Sequence, residues 1–159
     1  LALHILDKED QVADQLKKAI SKICLTEPRE PSIYESIDEA VSARLRGFGK
    51  ITPEAARTLL GRGLIKSTNG YGWATDPRLR EPSLIRLSES QVKGFMTHVE
   101  CPVCLIAPTD GYVSIESDKN PRLSYMAHLE THQVTGHHHF HLDGDVDKTA
   151  EIINNFIGL

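Results

Sequence analysis

Apolar residues recur at three- and four-residue steps along the first third of the chain. Val12, Leu16, Ala19, Ile20 and Ile23 share one face, which predicts a helix over 7–23 with Asp7 as its cap. Pro28 and Pro31 prevent it from continuing. Ser36-Ile37-Asp38-Glu39 reads as a capping box opening a second helix. Its apolar side is Ile37, Ala40, Val41 and Leu45, and Gly47 and Gly49 end it. Thr52-Pro53-Glu54 opens a third helix, with Ala56, Leu59 and Leu60 inward and Gly61 and Gly63 as its stop. The period then changes. Asn69-Gly70, between Leu64-Ile65-Lys66-Ser67 and Tyr71-Gly72-Trp73-Ala74, predicts a hairpin near 64–75. Asp76 to Arg80 reads as a turn.

The second half follows another rhythm. Ser88-Glu89-Ser90-Gln91 is a further capping box, opening a helix with Val92, Phe95, Met96 and Val99 inside. Pro102 to Ala107 is a continuous apolar run bounded by turn residues, as in a parallel strand buried on both faces. Pro108-Thr109-Asp110-Gly111 is the loop at its carboxyl end. A helix over 121–130, carrying Leu123, Met126, Ala127 and Leu129, and a strand over 131–135 come next. Four histidines then fall within five residues, His137 to His141. A last helix over 146–157 is capped by Asp145 and shows Val146, Ala150, Ile153 and Ile157 on one face. The order is strand, loop with Asp, helix, strand, loop with His, helix. That is an α/β pattern, with a helical layer and hairpin over 1–87 and an α/β core portion over 88–159. Functional groups in an open α/β sheet lie just past the carboxyl ends of strands, and Asp110 and His138 occupy two such places.

Composition narrows the classes. The 159 residues suit one compact domain, or a core fragment with an inserted piece. Acidic residues outnumber basic ones, 22 to 18, so a nucleic-acid surface is not expected. No apolar run approaches the roughly 20 residues that span a bilayer, so no membrane segment is expected. The start, Leu1-Ala2-Leu3-His4-Ile5-Leu6, has neither Met nor a basic signal-peptide onset and reads as chain already in progress. Cys24, Cys101 and Cys104 make no disulfide framework, which points to reduced thiols and a cytoplasmic location. Cys101-Pro102-Val103-Cys104 with the histidines offers a zinc alternative, a His/Cys metal-binding domain. An extended strand would turn those two cysteines to opposite faces, and no second CxxC is present. No metal and no cofactor are therefore expected.

The closing segment, Gly136-His137-His138 followed by His141-Leu142-Asp143 and a helix, resembles the end of the α/β-hydrolase fold. The earlier pieces are similar to one subgroup, the serine hydrolase-like proteins and their bacterial relatives. They are Tyr34-Glu35-Ser36-Ile37-Asp38-Glu39-Ala40-Val41, Arg62-Gly63-Leu64, Gly70-Tyr71-Gly72-Trp73 and Asp76-Pro77-Arg78-Leu79. The resemblance implies a helical cap followed by the last two parallel strands of the fold. It places the triad histidine at His138, with His137 and His139 as alternatives, and the triad acid at Asp110. Asp118, or an acid outside these residues, stands behind Asp110. Tyr71 and Trp73 would line a substrate pocket under the cap, or else pack the hairpin on the helices. The substrate would be a small molecule with an ester, thioester, lactone or similar acyl bond. None of the serines lies in a Gly-x-Ser-x-Gly elbow. The nucleophile is therefore expected from a missing N-terminal half, with the chain alone inactive. The alternative is a non-catalytic module that binds or associates, with a second copy or another chain as partner, because bare sheet edges favour pairing.

Overall fold

The computed structural model describes residues 9–25, 32–47, 49–76, 79, 81–116 and 118–158. The first helix, α1 (Val12–Leu25), follows a 3-10 turn at Glu9–Gln11. The predicted cap Asp7 lies outside the described residues. Of the apolar face of α1, Ala19 is buried, whereas Val12, Leu16, Ile20 and Ile23 stay exposed.

The next two helices pack against each other. In α2 (Ile37–Leu45), the Ser36 hydroxyl accepts from the Glu39 amide at 3.2 Å. The Glu39 carboxylate reaches back to the Glu35 amide at 2.7 Å, one residue before the cap, so the expected box is offset by one position. In α3 (Pro53–Gly63), Thr52 caps through the Ala55 amide at 3.3 Å. Ala40 and Val41 meet Ala56 and Leu60 between the helices, with Tyr34, Ile51, Leu64 and Trp73 packed around them. Alanines let the helices approach closely, and Leu60 fills the centre with no exposed surface. Burying that one side chain contributes about 1.5–3 kcal/mol.

The hairpin is present as β2 (Leu64–Ser67) and β3 (Gly70–Trp73), antiparallel, with Ser67 opposite Gly70. Its turn residues are thus Thr68 and Asn69. A two-residue strand, β1 (Ile33–Tyr34), pairs with the other edge of β3 and completes a three-stranded sheet. It was not predicted: two residues carry no period, and the pairing comes from a partner almost forty positions away.

Beyond residue 87, α4 (Glu89–Met96) opens with a complete capping box between Ser88 and Gln91. Val92 and Met96 are buried as expected, but Phe95 is 67% exposed. The helix covers the fold with one narrow stripe, and position 95 falls outside it. Strands β4 (Val103–Pro108) and β5 (Leu129–Val134) form a parallel pair in continuous register from Val103↔Leu129 to Pro108↔Val134. The helix expected over 121–130 is instead a 3-10 turn at Pro121–Tyr125, and the strand starts at Leu129 rather than Thr131. Two long-range contacts decide this. Glu89 on α4 accepts from the Arg122 guanidinium at 2.7 Å and from the Tyr125 hydroxyl at 3.2 Å, which holds the turn short. Leu129 and Glu130 then take up the ladder positions offered by Val103 and Cys104. After a short helix, α5 (Phe140–Asp143), α6 (Val146–Ile157) closes the chain. It buries Thr149 and Ile152 rather than the predicted stripe, leaving Val146, Ile153 and Ile157 exposed. Thr149 tolerates the interior because its hydroxyl donates to the Asp145 carbonyl at 2.7 Å.

Candidate active site

The ladder of β4 and β5 continues past the strand ends and forces two loops side by side. Thr109 N donates to the Val134 carbonyl at 2.9 Å and Asp110 N to the Gly136 carbonyl at 3.0 Å. Gly136 N returns a bond to the Thr109 hydroxyl at 3.3 Å. Gly136 turns the chain with a φ of 131°, and an added Cβ would sit 3.1 Å from Gly144 Cα and 3.2 Å from Phe140 Cβ. Positive φ and crowding both call for glycine there. The Asp145 amide, donating to the Thr135 carbonyl at 3.2 Å, closes the loop at its far end.

The histidines in this loop face different surroundings. Asp110 Oδ2 lies 2.8 Å from His137 Nδ1, a close contact without the alignment of a hydrogen bond. Lys50 Nζ stands 3.6 Å from the same oxygen. His138 is exposed, its ring centroid 5.1 Å from Tyr112 and 5.0 Å from His139. His139 is half-buried, and its Nε2 meets Arg44 Nη2 at 2.7 Å. A guanidinium only donates, so Nε2 accepts and the ring proton sits on Nδ1. Burial first, then the charges of Arg44, His138 and His141, hold His139 below the ordinary histidine value, with Asp143 pulling the other way. Asp143 Oδ2 accepts from the Thr52 amide at 2.8 Å. Arg44 and Thr52 together tie the α2–α3 connection to the histidine loop.

The structure therefore brings Asp110 and the histidine cluster to one end of the parallel pair. The carboxylate touches His137, while His138 points into the open beside Tyr112. Asp118 is exposed in the turn before the 3-10 segment. Tyr71 and Trp73 lie half-buried in β3. Trp73 covers α3 so closely that a Cβ on Gly63 would come within 2.8 Å of its ring. Cys101 is exposed ahead of β4 and Cys104 half-buried within it, away from the histidine loop. The roles of Arg44, Lys50 and Thr52 at this site escaped the sequence, because residues at the end of one helix and the start of the next carry no local signal of a partner some 60 to 95 positions on. Tyr112, two residues past Asp110, could have been found from the loop itself. No helix among the described residues is long and apolar enough to cross a membrane.

No protein-family model matches the chain. It is 30% identical to a serine hydrolase-like protein of Dictyostelium discoideum, over 95% of this chain and 45% of that protein. A crystal structure of a hypothetical protein from Pseudomonas aeruginosa PAO1 superposes with a TM-score of 0.84 at 32% identity, covering 98% of this chain and 56% of that one. The thioesterase domain from the curacin biosynthetic pathway superposes with a TM-score of 0.67 at 18% identity, over 92% of this chain and 53% of that one. The chain thus spans about half the length of the relatives it matches. At its lower identity, the thioesterase domain speaks for the fold alone.

Proposed function

The chain has the α/β-hydrolase fold and is similar to serine hydrolase-like proteins, and on that premise we propose that it contributes the base and the acid of a serine hydrolase. The observation that carries the reading is the placement of Asp110 and the histidine loop on adjacent carboxyl ends of parallel strands, 2.8 Å apart at their nearest side chains. In this mechanism His138 accepts the proton of a serine hydroxyl as that oxygen attacks an acyl carbon. It then returns the proton to the leaving group. Its exposed ring suits that role, since the nucleophile must approach it from residues other than these. Asp110 orients the imidazole and stabilises its charged form. The carboxylate is 67% exposed, which leaves it room to turn within the loop. Residues up to 87 would form the cap over the site, with Tyr71 and Trp73 facing a small ester, thioester or lactone. The Asp110–His137 contact favours a second reading, in which His137 is the base.

Single-residue variants of the full-length gene product separate the two. Hydrolysis of short acyl esters should fall about 10²–10⁴-fold in His138→Ala and stay near wild type in His137→Ala. The reverse order would transfer the role to His137. An upstream sequence without a nucleophile elbow would sink both readings.

A further inference from the structure

The parallel register of β4 and β5 assembles a second group of donors that no triad uses. Cys104 stands opposite Glu130, and Ile106 opposite His132. Paired positions in a parallel ladder project to the same face, and residues two apart on one strand share it too. Cys104, Glu130 and His132 therefore meet on a single side of the sheet. Their Sγ, carboxylate and imidazole donor atoms all lie within 4.8 Å of one another, and His132 Nε2 is 3.2 Å from Glu130 Oε1. Cys104 lies four residues, about 13 Å of strand, before the end of β4, so the group is separate from the histidine loop.

We propose that Cys104, Glu130 and His132 bind one zinc ion, or a divalent cation of similar softness, with a water completing the shell. The donor set carries the assignment. One thiolate, one imidazole and one carboxylate suit zinc, whereas magnesium and calcium want oxygen alone. Tetrahedral zinc holds such donors at about 2.0–2.3 Å, which sets them about 3.3–3.8 Å apart. The group needs only small rotamer adjustments of Glu130 and His132, both partly open to solvent. Burial, then the hydrogen bond and charge of Glu130, raise the Cys104 thiol above its usual value. On binding, the cation forms a bond to sulfur and the thiol proton leaves to solvent; nothing is oxidised or reduced.

Cobalt(II) titration of the full chain tests the site. Thiolate coordination gives a near-ultraviolet sulfur-to-cobalt charge-transfer band, and binding at the histidine loop through nitrogen alone does not. The band should saturate at one equivalent, vanish in Cys104→Ser, and be displaced by zinc. Glu130→Gln and His132→Gln, conservative changes on partly open side chains, should each weaken cobalt binding at least about tenfold. Circular dichroism of each variant confirms that the strands persist. A band absent from the wild type, or unchanged in His132→Gln, overturns the proposal. So does cobalt binding that disappears only when His137, His138, His139 and His141 are replaced.

Discussion

At the scale of single residues, the histidine loop was the most legible feature and its internal division of labour the least. Four histidines in five residues stand out in any reading. Which of them meets Asp110 depends on the turn at Gly136 and on the bonds between loops, and neither is encoded next to the ring concerned. His139 is the clearest case. Its neighbours in sequence suggest one member of a solvated cluster, yet it is half-buried against an arginine 95 positions earlier. That burial has a pH consequence. The folded pKa of His139 is depressed, so the unfolded chain takes up this proton first as pH falls. The contribution of the neutral ring is fully present above the unfolded value, about 6.5, and is lost as pH falls from there towards the folded value. Urea midpoints measured at about pH 7.5 and about pH 5.5 should therefore drop more in the wild type than in His139→Gln. Glutamine offers Arg44 an acceptor and does not titrate. Equal drops in the two proteins would exclude His139 as a source of the dependence.

At the scale of elements, most cap signals read true and pairing signals did not; Asp145, expected to cap α6, stands at its N-cap position without a side-chain bond. The caps at Ser36, Thr52 and Ser88 fall where their side chains and the following amides require, because a cap is decided within four residues. Strands β1 and β5 and the short turn at Pro121–Tyr125 are decided by partners: Tyr71 and Gly72, Val103 and Cys104, and Glu89. Helix faces followed the same division. The α2–α3 pair buries Ala40, Val41, Ala56 and Leu60, where each helix supplies the other's partner, but leaves the predicted Ile37 and Leu45 exposed, and α6 buries Thr149 and Ile152 in place of its predicted stripe. The α2–α3 contact is accordingly where stability is concentrated. Leu60→Ala should cost about 2–5 kcal/mol, as a cavity with no open side. Gly63→Ala should cost about 1–3 kcal/mol by pushing the Trp73 ring off the helix, with a changed tryptophan emission. Leu59→Ala, at a half-buried position on the same helix, should cost less than Leu60→Ala. Denaturant titration gives all three, and a Gly63→Ala protein as stable as the wild type would mean the ring has room to move.

At the scale of the whole molecule, the fold class was readable because strand, loop and helix lengths repeat along the second half, and the order of pieces matched a known arrangement. What holds the assembly together was less readable, and it bears on how the chain behaves alone. Two parallel strands make a sheet too small to be stable without cover on both faces and pairing along the edges. Among the described residues, β4 and β5 each keep one unpaired edge. Val12, Leu16, Ile20 and Ile23 lie on one helical face of α1 and are all exposed. An apolar stripe of that kind marks an association surface more often than a free one. The relatives it matches carry about as much chain again, which is one candidate for the cover; a second copy is the other. For the 159-residue chain by itself, sedimentation velocity should therefore show a mass that rises with concentration in the micromolar range. Ile20→Glu, which places a charge in the middle of the exposed stripe without touching the buried Ala19, should shift the protein towards monomer while leaving its helical signal intact. A wild-type chain that sediments as a monomer throughout would show that α1 needs no partner, and would leave the two-stranded sheet standing on the support of α6 and the connection from α2 to α3.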